Sequence, residues 1–126
     1  MELTARRVVD AYAALNTIHF TCRLKYRDAR KLSDLKKLFK ERIGVIGQME
    51  SDLVKQCGGQ ILENGKLEFS EPTFAETFIG EHTKMFEEKD DVDFTPVDLS
   101  AYVDNIEIPV ESIEALDGII LFDKEA

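Results

Sequence analysis

Over residues 28–57 the chain repeats one spacing: Leu32, Leu35, Phe39, Arg42, Ile46, Met49 and Leu53 follow one another at alternating steps of three and four. That is the period of one helix face, so the stretch predicts a long helix whose apolar seam holds a single basic residue. Leu38, Ile43, Val45 and Val54 widen the seam, and a strip that broad needs more than one neighbour to cover it. Ahead of it, Ala5, Val8, Tyr12 and Leu15 form a second helical stripe behind Thr4, an N-cap residue, predicting a first helix over about 4–17. The two helices predict an antiparallel helical hairpin with a flank left for a second subunit. Between them, IHFTCRLKY fits either an extended link or more helix.

The helical period stops at CGGQILENGKLEFS. Gly58 and Gly59 suit the left-handed closure of a helix end. Asn64 and Gly65 suit a two-residue type I′ turn, which would set Leu62 against Leu67 and Glu63 against Lys66 in a short β-hairpin. A third helix follows, capped by Ser70 or by a Thr73/Glu76 capping box, with Phe74, Phe78, Met85 and Phe86 on one face, ending near Glu88. Val92, Phe94, Val97 and Leu99 predict an extended segment broken at Pro96, and 102–108 a second one. Pro109 opens a short helix over ESIEAL, Gly118 closes it, and the apolar IILF is expected to dock on the core. The fold class is therefore α+β, mainly helical, in one domain over 1–126: a helical hairpin (1–59), then a mixed half (60–126).

Charge divides the chain at the same place. Residues 1–60 hold 12 Lys+Arg against 7 Asp+Glu, a balance of +5; residues 61–126 carry −14, for a net −9. Such a split is neutralised inside the fold, used between subunits, or shown to a partner. The longest apolar run is short and no secretory leader is visible, so neither secretion nor membrane spanning is expected. Two cysteines, Cys22 and Cys57, are too few for a disulfide framework and read as free thiols in a reducing compartment.

Chemistry-bearing motifs are sparse. His19 and His82 have no metal-ligand companions, and His82, one turn from Phe78, reads as a half-buried helical residue. Gly44-Val45-Ile46-Gly47 has the glycine spacing of an RNA-binding GXXG clamp, but its apolar centre fits a helix crossing or oligomer contact, shared with Phe39. The acidic run with Glu87, Glu88, Asp90, Asp91 and Asp93 lacks the order of a calcium loop and reads as a solvated acidic surface. RLKYRDARKLSDLKKLFKER places nine bases among three acids; Arg23, Arg27, Arg30, Lys36, Lys37, Lys40 and Arg42 are the candidate partner or anionic-ligand contacts. Without an aromatic series for base stacking, a protein partner is favoured over nucleic acid. Arg42, inside the seam, calls for a carboxylate from the acidic half or from a second subunit. No cofactor, metal site or catalytic constellation is expected, so the chain reads as non-enzymatic.

On DAYAALN (10–16), LSDLKKLFKER, the ENGK turn and IPVESIEALDGIILF (108–122), the chain resembles a family of small phage-encoded proteins of unknown function. The resemblance implies phage origin and a place in the bacterial host cytoplasm or the virion. The expected function is a protein-binding protein, such as an inhibitor of a host antiviral factor, acting through charged surfaces as a homodimer or higher homo-oligomer. The alternatives are a virion structural or assembly component and an oligomer that sequesters an anionic small ligand through Arg23, Arg27 and Arg30.

Overall fold

The computed structural model describes residues 1–123. In chain order the elements are β1 (Glu2–Thr4), α1 (Ala5–Leu15), β2 (His19–Phe20), α2 (Tyr26–Gln56), β3 (Gly59–Ile61), β4 (Leu67–Phe69), α3 (Pro72–Glu87), β5 (Lys89–Asp91), β6 (Val97–Asp98), a 3-10 helix (Ser100–Asn105), β7 (Ile106–Glu107), α4 (Val110–Ala115) and β8 (Ile120–Leu121). The architecture is α+β and mainly helical, with α2 as its spine. Four two-stranded ladders tie the chain together: β1–β5, β2–β7 and β3–β4 antiparallel, and β6–β8 parallel.

Helix α1 starts where expected, because the Thr4 hydroxyl accepts a hydrogen bond from Arg7 N at 3.1 Å, satisfying one otherwise unpaired donor of the first turn. Its buried side, Val8, Ala11, Ala14 and Leu15, packs on α2 and α4. The small alanines let both neighbours approach. Leu32, Leu35, Phe39 and Ile46 of α2 join that core with Leu3, Val92, Val97, Leu99, Tyr102, Leu116, Ile119 and Ile120. The C-terminal IILF docks on the core: Ile119 and Ile120 are buried and Phe122 packs against the cluster, whereas Leu121 is exposed. Beyond Ile46, α2 leaves this core, so Met49 is exposed, while Val54 is buried near the hairpin residues Gly59 and Phe69.

Several local expectations are corrected. Of the two glycines after α2 only Gly58 has positive φ (77°); Gly59 begins β3, with the Phe69 ring packed where a side chain would stand. The hairpin pairs Ile61 with Leu67, one residue away from the expected register. The turn is a three-residue loop: Leu62 O accepts from Gly65 N at 2.9 Å, Gly65 has φ of 82°, and Asn64 keeps negative φ. A type I turn followed by a left-handed glycine gives that geometry without strain at Asn64. Helix α3 has no side-chain cap at either proposed residue; Pro72 occupies the first turn, where its missing N–H costs no bond. The expected second extended segment is a 3-10 helix up to Asn105, because the Leu99 carbonyl already accepts from Tyr102 N at 2.9 Å.

Tyr102 also holds the start of α2. Its hydroxyl donates to Asp28 Oδ2 at 2.5 Å and accepts from Lys25 N at 3.0 Å, supplying a partner to a helix end that has no side-chain cap of its own. The bond to Asp28 raises the Tyr102 pKa above its ordinary 10, since an ionised phenolate would lose that proton bridge and face a carboxylate; the Lys25 bond opposes the shift. A folded pKa above the unfolded one stabilises the protein fully below pH 10, and the contribution is lost as pH rises through the folded value. Stability measured by urea unfolding from pH 8 upward is therefore expected to fall less steeply in Tyr102→Phe than in the parent. Parallel curves would mean that Tyr102 does not carry this dependence.

Candidate interaction surface

The acidic run stays at the surface and pairs there with the first half of the chain. Asp90 Oδ2 lies 3.1 Å from Arg42 Nη2, which also donates to the Asp91 carbonyl at 2.8 Å; Glu87 Oε1 lies 2.8 Å from Arg6 Nε; Asp91 Oδ1 lies 3.2 Å from the Met1 amine. All five expected surface acids are exposed, and three of them also close contacts between the two halves of the chain. Glu88 and Asp93 are exposed and pair with no other described residue. The demand of Arg42 for a carboxylate is met within the same chain, at the edge of the core, where its side chain keeps 30% of its exposure.

Phe39 is not placed to contact a second subunit. It has no exposed surface, and its ring meets Phe94 edge-on, with centroids 5.6 Å apart. Gly44 and Gly47 lie off the buried stripe, and a side chain at either would meet nothing within 4 Å, so none of the described helices crosses there. The reason is the helical period itself: counting from Phe39 at about 100° per residue, Gly44 falls about 140° and Gly47 about 80° round α2, both off the stripe of Leu35, Phe39 and Ile46.

The other predicted bases are presented outward. Arg30 and Lys37 lie opposite the buried stripe of α2, Arg27 and Lys31 occupy one flank, and Lys36 and Lys40 the other. Arg30 donates to the Tyr26 hydroxyl at 3.2 Å and pairs with Asp34 at 3.5 Å, which raises its pKa, the Tyr26 bond being the larger cause. Arg23, Arg27, Lys31, Lys36, Lys37 and Lys40 form no ion pair with another described residue. Asp28 is drawn inward by Tyr102, so Asp34 and Glu41 are the outward acids of this stretch. Helix α4, with exposed Glu111 and Glu114 and the following Asp117, joins the fold chiefly through α1.

A second polar feature joins α2 to α3. His82 stacks on Phe78 (5.2 Å), lies 4.5 Å from the Phe86 ring centroid, and its Nε2 is 2.8 Å from Glu50 Oε2. The i,i+4 spacing of these three rings was legible; the Glu50 partner, 32 residues away, was not. Both cysteines are free and half-buried. Among the described residues no group of three or more His, Cys, Asp or Glu side chains is placed to hold a metal ion, and no helix is long and apolar enough to cross a membrane. Comparison with family models, with curated proteins and with solved structures found no match.

Proposed function

We propose that the chain is a non-enzymatic binding protein that docks the basic face of α2 onto an acidic surface of a protein partner. The carrying observation is the run of exposed bases Arg27, Lys31 and Lys37 on the outward side of α2, which pair with no acid among the described residues. Arginines and lysines held on one rigid helix keep their spacing, so they present a fixed pattern and speed encounter with a complementary surface. A protein is preferred to a nucleic acid because the formal net charge of −9 opposes approach to a long polyanion. On the resemblance to small phage-encoded proteins, the partner we propose is a bacterial host protein.

Arg27→Glu/Lys37→Glu is the direct test, since both side chains are exposed and their reversal leaves the core untouched. The parent chain, used as bait in bacterial lysate at low salt, is expected to retain a defined protein at fixed stoichiometry that the variant loses, and that added salt releases. Identical captures by parent and variant, with both folded by circular dichroism, would sink the reading.

A further inference from the structure

The flank of α2 that carries Lys31 also carries Leu38, and the segment joining β5 to β6 runs alongside it. Leu35, Leu38, Phe94 and Pro96 enclose an apolar cleft of about 400 Å³ with Lys31 and Asp34 at its rim. Its walls are fixed by the core, for Leu35 is buried and the Phe94 ring is held edge-on by Phe39. The two ends differ in charge. Arg27 and Lys31 mark one end, where Asp34 is already paired with Arg30; Glu41 and Asp93 mark the other, towards the Arg42–Asp90 pair.

Resting on the basic-face reading above, we infer that this cleft seats one apolar anchor side chain of an acidic peptide segment, with the segment's carboxylates over Arg27 and Lys31. An apolar side chain leaving water supplies affinity, and the neighbouring charges set direction: acidic residues are attracted at the Arg27 end and repelled at the Glu41 end. The occupant is thus a protein segment with its acids on one side of an aromatic or branched aliphatic residue. Lys31 serves both roles, because its stem lines the cleft and its ammonium meets the partner.

Fluorescence anisotropy with short labelled peptides tests this. An acidic peptide with phenylalanine on the flank of its acid run is expected to bind at least about tenfold more tightly than its alanine twin. Thr95→Trp, which fills the cleft from an exposed position, and Leu38→Ser are each expected to erase that difference while leaving the alanine peptide unchanged. A melt of each variant confirms folding. Lys31→Glu is expected to weaken both peptides. Equal binding of the two peptides, abolished by Lys31→Glu, would overturn the cleft and keep the basic face. Failure of both to bind, or tighter binding of duplex DNA than of either, would overturn both.

Discussion

Phe39→Ala is expected to destabilise the protein by about 3–5 kcal/mol, the largest effect of any single truncation in the core. The side chain is completely buried at the middle of the spine helix, and removing its ring leaves a void between α2 and the segment that carries Phe94. Neighbours can fill such a void only in part, because they are held by their own helices and ladders. A domain of this kind is held by about 5–15 kcal/mol in total, so the loss would leave the variant close to unfolding at physiological temperature. Urea titration gives the measurement: a large drop in midpoint with little change in slope. Lys37→Ala, two residues away on the exposed side, is expected to move the midpoint hardly at all. A Phe39→Ala variant with parental stability and altered solution mass would instead place this residue at an interface between copies.

The same residue shows what a periodic pattern does and does not contain. Spacing alone put Leu32, Leu35, Phe39 and Ile46 on one stripe, and all four are buried. Spacing does not say what lies against the stripe. The cover for Phe39 is Phe94, 55 positions later and outside any repeat, so an intramolecular neighbour and a second subunit looked alike from the sequence. Met49 and Leu53 continue the pattern yet are less buried, because α2 outruns the elements that pack on it. The glycine pair at 44 and 47 meets no helix crossing within the described residues for a related reason. Glycine permits close approach, but nothing in a single sequence supplies the approaching chain, and here the two positions face open space.

Local chemistry was more legible than pairing. Thr4, Gly58, Gly118 and the Pro109 region act within a few residues of themselves, and each ends or starts a helix where the sequence placed it. The ladders are two or three residues long and join distant segments, too short for an alternating pattern to form. Hairpin register failed by one residue because Asn64-Gly65 is compatible with two turn geometries, and the choice between them depends on which face of the strands packs inward. Gly59 opposite Phe69 settles it, placing the ring over the glycine beside Val54. Charge behaved similarly. The basic half was plain, whereas the partners of Glu87, Asp90 and Asp91 emerge only when β5 lies against the start of the chain.

That ladder is the place where a second large effect is expected: Leu3→Ala should cost about 2–5 kcal/mol. β1 has three residues, too few to persist through backbone hydrogen bonds alone, and its flanking residues are exposed at Glu2 and half-buried at Thr4. Leu3 is the exception at 1% exposure, driven into the core cluster with Val8 and Val92. Its burial is therefore what holds Glu2, Leu3 and Thr4 opposite Asp91, Asp90 and Lys89. The ion pair at the end of the ladder is a weaker fastening, since Asp91 is largely exposed and water screens it. Asp91→Asn is accordingly expected to cost less than about 1 kcal/mol. Hydrogen exchange separates the two causes. In Leu3→Ala the amides of β1 and β5 should lose protection together, as the strand releases and Asp90 loosens its hold on Arg42; in Asp91→Asn they should stay protected. If the aspartate variant proves the more damaging of the two, charge and not burial fastens the start of the chain to α2 and β5.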